Sequence, residues 1–214
     1  MKLNDKIDHT FLKANGNVAI IDKLCDEAID YTFASVCVPP YYVAHAASRL
    51  EGAQAVVCTV IGFPFGYSST NSKLQEIKDA INDGAVELDM VVNVSAINDK
   101  QWKYVENEIK LATEIVKEHG KLIKVIFETA YLSDEEIVLL CEICANYKVD
   151  FVKTSTGFAD KGAEIRIIKL MKDTLQGRAK IKASGGIRDK ATAIAMVEAG
   201  ADRLGASAGV VIVS

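Results

Sequence analysis

Eight short apolar runs, each followed by a stretch of helical periodicity, with no linker or low-complexity tract between them, predict a single-domain α/β fold, a closed parallel TIM (β/α)8 barrel over residues 1–214. Parallel neighbours need a crossover, and a helix after every strand supplies it. The rival is an open doubly wound sheet, but no G-x-G-x-x-G follows the first strand. At 214 residues the chain is short for a barrel of this kind, so its connections must be tight.

In chain order, Ile7–Thr10 reads as the first strand and Val18–Asp30 as its helix. Phe33–Val38 is the second strand, and Pro39-Pro40 opens the next helix, as proline does at a first turn. Ala55–Val60 is the third, followed by a loop over 61–66 and a helix over Thr70–Asn82. Val86–Val92 is the fourth, with one long helix over Lys100–His119. Leu122–Phe127 is the fifth, and Ser133 with Glu136 three residues on forms a capping box for the helix through Tyr147. Phe151–Lys153 is the sixth, with a helix over Ala163–Lys172. Lys180–Ala183 is the seventh, with a helix over Lys190–Ala199. Arg203–Gly205 is the eighth, and Ser207–Val213 forms a last short helix.

Hydrophobic residues make up 50% and charged residues 25%, the balance of a folded globular chain. A formal net charge of -4 gives no bulk attraction to nucleic acid or anionic membrane. No apolar run approaches the roughly 18 residues of a membrane span, and Met1–Lys6 has no signal-peptide core, so a cytoplasmic protein is expected. The five cysteines are Cys25, Cys37, Cys58, Cys141 and Cys144. Cys141-x-x-Cys144 has metal or redox spacing but lies in a helix interior, no second pair follows, and His9, His45 and His119 are scattered. Buried free thiols are expected, with no metal and no cofactor.

The strand phases carry the chemistry. In the fourth strand Glu87, Asp89, Val91 and Asn93 share one face, opposite Leu88, Met90 and Val92. Lys124, Ile126 and Glu128 share a face in the fifth, Phe151 and Lys153 in the sixth, and Lys180 and Lys182 in the seventh. The apolar faces must pack under the helices, so the charged faces point into the barrel, and Asp89, Lys124, Lys153 and Lys182 converge there. An ion-pair network accounts for Asp89 with Lys124, and for Glu87 as well. Three lysines near few carboxylates are the expected remainder. Burial and a neighbouring cation both favour the neutral, nucleophilic form of a lysine, the form that condenses with a carbonyl in Schiff-base chemistry.

Ser184-Gly185-Gly186 follows the seventh strand, and Gly205-Ala206-Ser207-Ala208-Gly209 follows the eighth. Glycine lets backbone N–H groups approach a ligand, and phosphate binding at these two loops recurs in barrel enzymes. Arg188 either adds charge there or faces solvent. Asp8, near the end of the first strand, either binds a sugar hydroxyl or caps the loop. Cys37 is expected to line the pocket. Thr154, Ser155 and Thr156 either contact a polyol or satisfy their own turn.

Seven segments taken together resemble the deoxyribose-phosphate aldolase family: Ile7-Asp8-His9-Thr10, Ser35-Val36-Cys37-Val38, Gly62-Phe63-Pro64, Glu87-x-Asp89-x-Val91-x-Asn93, Lys124-Val125-Ile126-x-Glu128-Thr129, Val152 through Phe158, and Lys182 through Arg188. The resemblance implies a class I aldolase that reversibly cleaves a small phosphosugar, 2-deoxy-D-ribose 5-phosphate, to D-glyceraldehyde 3-phosphate and acetaldehyde in deoxyribonucleotide catabolism; a homodimer or homotetramer is the expected assembly. It implies Lys153 as the imine lysine, Asp89 and Lys182 as the proton-shuttling pair, and Lys124 as a residue that tunes them. It puts Gly185, Gly186, Gly205 and Ser207 at the phosphate. This chain reads Ser207-Ala208 where many members carry two hydroxyls, and it ends at Ser214, so weaker phosphate binding and no C-terminal contribution are expected. A transaldolase-like barrel and a non-catalytic phosphosugar-binding barrel are the alternatives.

Overall fold

In the computed structural model, which describes residues 1–214, eight parallel strands pair in chain order and the last closes on the first. They are β1 (Ile7–Thr10), β2 (Ser35–Val38), β3 (Val56–Ile61), β4 (Glu87–Val91), β5 (Leu122–Ile126), β6 (Phe151–Lys153), β7 (Lys180–Ser184) and β8 (Arg203–Ala206). Closure leaves no free sheet edge. Around the barrel lie α1 (Val18–Asp30), α2 (Val43–Arg49), α3 (Thr70–Asn82), α4 (Val94–Asn98), α5 (Trp102–Glu118), α6 (Asp134–Asn146), α7 (Ile165–Leu175), α8 (Lys190–Ala199) and α9 (Gly209–Val213).

The main core is the sleeve between strands and helices. Leu88, Met90 and Val92 belong to it, as do Val125, Phe127, Val152, Ile181 and Ala183, whereas their strand neighbours Glu87, Asp89, Lys124, Lys153 and Lys182 do not. The barrel interior keeps a small apolar cluster, Cys37, Cys58 and Val60, together with the buried inward-phase side chains Val91, Ile126 and Phe151. Period-two alternation has therefore turned these charges inward and left the outward face apolar, as the strand phases require.

Four helices depart from the sequence expectation, the last of them, α9, only in starting at Gly209 rather than Ser207. The helix expected over Lys100–His119 is preceded by a separate short one, because the Asn93 side chain accepts from Ala96 N–H at 3.1 Å and caps α4. Lys100 at φ 56° then breaks the chain before α5. The helix after β2 begins as a single 3-10 turn, Pro40–Tyr42, before α2. The helix after β6 starts at Ile165 and runs to Leu175, where Gln176 at φ 48° ends it. The capping box forms as expected: Ser133 Oγ accepts from Glu136 N–H at 3.3 Å, and Glu136 Oε2 accepts from Ser133 N–H at 2.8 Å. No helix is long and apolar enough to cross a membrane.

A fully buried ion pair fastens the end of β4 to two helices. Lys73 Nζ of α3 donates to Glu108 Oε1 of α5 at 2.9 Å and to the Val91 carbonyl at 2.8 Å, while Glu108 Oε2 accepts from Asn93 N–H at 3.3 Å. Removing one partner strands the other charge in the core. Glu108→Ala is expected to lower stability in urea denaturation by about 3–5 kcal/mol. Lys73→Met combined with Glu108→Leu is expected to recover most of that loss, and a double variant as unstable as the single one would contradict the stranded-charge account.

Candidate active site

Strand register brings the interior charges together, with Lys153, opposite Ile126, one inward step above Lys124. Asp89 lies opposite Lys124, Lys124 opposite Phe151, Lys153 opposite Lys182, and Lys182 opposite Arg203. The Asp89 carboxylate is the hub. Its Oδ1 accepts from Lys124 Nζ at 2.8 Å, and its Oδ2 accepts from Lys153 Nζ and Lys182 Nζ, each at 2.8 Å. Cys58 Sγ donates to Asp89 Oδ1 at 3.2 Å and accepts from Lys124 at 3.3 Å.

A second tier supports the hub. Lys124 Nζ is 2.6 Å from Glu87 Oε2, and Lys182 Nζ is 2.5 Å from Asp8 Oδ2. Arg203 reaches Asp8 Oδ1 at 2.5 Å and Glu87 Oε2 at 3.3 Å. Four cationic side chains thus face three carboxylates, and the cluster balances when one lysine is neutral. Lys153 has the weakest claim on a counter-ion: Asp89 is the single carboxylate in ion-pair range, whereas Lys124 and Lys182 each have at least two.

Burial by itself would raise the Asp89 carboxyl, but Lys124, Lys153 and Lys182 outweigh it and hold the group well below the usual range. The same contest at Asp8 ends the same way, with Lys182, Lys124 and Arg203 against burial. Burial would lower Lys124, yet Asp89, aided by Cys58, Asp8 and Glu87, carries it well above the ordinary value. Lys182 is likewise raised, burial being overcome by Asp8 and Asp89. Lys124 and Lys182 therefore rest in the cationic form.

Above Lys153 opens a cavity of about 340 Å³ at the C-terminal end of the strands, lined by Lys153, Thr156, Gly185, Gly186, Gly205 and Ser207 among others, with Arg188 on its wall. At Gly205 a Cβ would lie 3.0 Å from Lys182 Cε and from Ser184 Cβ, so a side chain there would press on the Lys182 stem. Gly185, at φ 85°, would place a Cβ 2.9 Å from Gly162 Cα. A second, more apolar cavity of about 520 Å³ adjoins, with walls that include Tyr41, Tyr42, Val60 and Phe63, and it shares Leu12, Lys13 and Phe158 with the first.

The structure gathers Lys153, Thr156, Gly185, Gly186, Gly205 and Ser207 around one cavity and puts Asp89 and Lys182 within hydrogen-bond reach of the Lys153 amine. Lys124 sits deeper, fully buried. Two expectations need correction. Asp8 faces neither a sugar nor the loop: register sets it beside Ser35 and Gly205, its carboxylate accepts from Ser35 Oγ at 2.7 Å, and it serves as counter-ion to Lys182 and Arg203. Cys37 does not line the pocket but packs behind Leu12 and Phe63, fully buried with Cys58 and Val60. Nor are carboxylates few, since Asp8 and Glu87 join Asp89. Arg203 escaped the sequence analysis, although its phase with Gly205 put it on the ligand-facing side of β8.

Cys37, Cys58 and Asp89 place their ligand atoms within 4.8 Å of one another, yet both Asp89 oxygens are engaged by ammonium groups, which a cation would have to displace. Cys141 and Cys144 are buried within α6, and burial pushes the Cys141 thiol up to about 12, away from reactivity.

Residues 5–213 match the family model described as DeoC/LacD family aldolase. The chain is 52% identical over 213 residues to the deoxyribose-phosphate aldolase of Finegoldia magna, spanning 100% of this chain and 99% of that protein. It is 50% identical over 212 residues to deoxyribose-phosphate aldolase 1 of Vibrio vulnificus, spanning 99% and 96%. Among solved structures, the tetrameric deoxyribose phosphate aldolase of Aeropyrum pernix matches with a TM-score of 0.92 at 32% identity, over 99% of this chain and 89% of that one.

The buried carboxylates make acid stability a readout of the cluster. The native pKa values of Asp8 and Asp89 are depressed, so their contribution is full above the unfolded value of about 3.9 and is lost as pH falls from there toward the native values. The urea midpoint is expected to hold between pH 7 and about 5 and to drop steeply below about 4, with a shallower drop in Asp89→Asn. Identical pH profiles for the two proteins would contradict this.

Proposed function

The chain belongs to the DeoC/LacD family of aldolases, and we propose that it is a class I aldolase that reversibly cleaves 2-deoxy-D-ribose 5-phosphate to D-glyceraldehyde 3-phosphate and acetaldehyde through an imine on Lys153. The observation that carries the reading is that, of the four interior cations, Lys153 alone reaches the cavity and has one carboxylate partner. It is the amine with the fewest counter-ions and the one that a carbonyl in the cavity can meet.

The open-chain aldehyde carbon C1 accepts the Lys153 lone pair, and the resulting carbinolamine loses water to an iminium. The C3 hydroxyl gives up its proton, the C2–C3 bond breaks, and its electron pair moves into the iminium to form an enamine while glyceraldehyde 3-phosphate departs. Protonation of the enamine at C2 and hydrolysis release acetaldehyde and the free amine. Asp89, 2.8 Å from both Lys153 and Lys182, is placed to pass protons between them and a water in the cavity. Lys182, kept cationic by Asp8, supplies the acid end of that relay. Asp89 and Lys182 titrate as a unit rather than as separate groups.

The phosphate lies at the loops after β7 and β8, where Gly185, Gly186, Gly205 and Ser207 offer backbone and hydroxyl donors and Arg188 adds charge. The same proposal includes a cytoplasmic role in breaking down the sugar of deoxyribonucleotides and assembly as a homodimer or homotetramer.

Borohydride reduction in the presence of acetaldehyde, followed by peptide mass mapping, is expected to leave an ethyl group on Lys153. An adduct on Lys182 would exchange the two roles, and none from folded protein would remove the imine. Lys153→Leu is expected to fold and to lose turnover. Asp89→Asn is expected to lower kcat by about 10²–10⁴ with a smaller change in KM, as loss of a proton-transfer group does. Equal losses in both parameters would argue against that role.

A further inference from the structure

The loop after β6 carries Thr156 on the wall of the smaller cavity, and its hydroxyl is not free to turn. Glu128, just beyond β5, is 4% exposed and sits at φ 55°, ψ 64°, a left-handed conformation that a residue other than glycine keeps only when its surroundings enforce it. From there its carboxylate meets Thr156 twice. Thr156 N–H donates to both oxygens at 3.3 Å, and Thr156 Oγ1 donates to Oε2 in a short contact. Phe158 N–H in turn donates to Thr156 Oγ1 at 3.0 Å. The two loops are stitched together besides, with Phe127 N–H on the Lys153 carbonyl at 2.9 Å and Thr129 N–H on the Thr154 carbonyl at 3.0 Å.

A hydroxyl has one proton and two lone pairs. Glu128 takes the proton and Phe158 N–H takes one lone pair, which leaves a single acceptor site on the oxygen. An ionised carboxylate is an acceptor only, so it cannot release that proton by turning over. Glu128 makes no hydrogen bond to Lys153, Asp89 or Lys182, and the imine chemistry does not use it.

We infer that Glu128 is a positioning residue that holds Thr156 as a hydrogen-bond acceptor, so that the wall beside Lys153 recognises a hydroxyl group on the substrate rather than a carbonyl or ether oxygen. The inference rests on the proposed aldolase activity, in which the partner aldehyde carries a hydroxyl next to its carbonyl. A site built for a substrate hydroxyl discriminates sharply against an analogue lacking it, because the buried acceptor is then left unpaired.

The test compares kcat/KM in the synthetic direction, with acetaldehyde as donor and two acceptors, D-glyceraldehyde 3-phosphate and its analogue lacking the 2-hydroxyl. Wild type is expected to favour the hydroxylated acceptor by about tenfold or more. Glu128→Gly removes the carboxylate while leaving a residue at ease in the left-handed conformation, and Thr156→Val removes the acceptor itself. Each is expected to bring the ratio to within about threefold of unity, with no further change in the double variant, as residues acting through one contact behave. Glu128→Gln, whose carbonyl accepts the same two donors, is expected to keep the preference. A Glu128→Gly enzyme that retains the full preference while Thr156→Val loses it would overturn the inference, as would a wild type with no preference. Borohydride trapping of acetaldehyde on Lys153 is followed in every variant. Trapping that survives while discrimination is lost isolates the acceptor step. A wild type that traps nothing fails at the imine instead, and the contact is then read from calorimetric binding of 2-deoxyribose 5-phosphate against its 4-deoxy analogue, where equal affinities would overturn it.

Discussion

A single carboxylate shared by three ammonium groups is the constraint on which the interior of this barrel is built. Asp89 can accept from Lys124, Lys153 and Lys182 at once only if each amine arrives from its own strand within reach of the one carboxylate. Parallel pairing in strict chain order supplies that convergence, because each strand steps around the barrel in fixed register with its neighbour. Any slip of one residue would turn a lysine out into the apolar sleeve. The cost of burying the charges thus also fixes the register of four strands.

The second tier sets two of the lysines apart from the third. Asp8 and Glu87 give Lys182 and Lys124 counter-ions of their own, and Arg203 spans those two carboxylates from β8. What remains is one cation more than the carboxylates can match, located at the top of the cluster where the cavity begins. Charge balance and access therefore select the same residue. Small side chains keep that access open: with a Cβ at residue 205 the Lys182 stem would have to move, and with one at residue 185 the loop at Gly162 would.

Loops beyond the strand ends extend the same logic of paired backbone into the cavity wall. Glu128 and Thr156 follow β5 and β6, and the hydrogen bonds between their loops continue the ladder past the last assigned strand residues. Strain at Glu128 is confined to one residue and coincides with a polar contact on the cavity wall. Lys73 and Glu108 do comparable work at the end of β4, holding the residues that follow Asp89 against two outer helices.

The order of the elements, the inward phase of Asp89, Lys124, Lys153 and Lys182, and the glycine loops after β7 and β8 were legible in the chain alone, because period-two alternation and glycine placement are local properties. So was the Ser133–Glu136 capping box, for the same reason. The break between α4 and α5 was not, since it depends on an Asn93 cap competing with otherwise continuous helical periodicity. Which carboxylates meet which lysines was equally hidden. Asp8 and Arg203 are 195 residues apart in sequence yet bond at 2.5 Å, because barrel closure makes β1 and β8 neighbours. Alternation says that a side chain points inward; only closure and register decide its height and its partners, and those made Asp8 a counter-ion and left Lys153 facing the cavity.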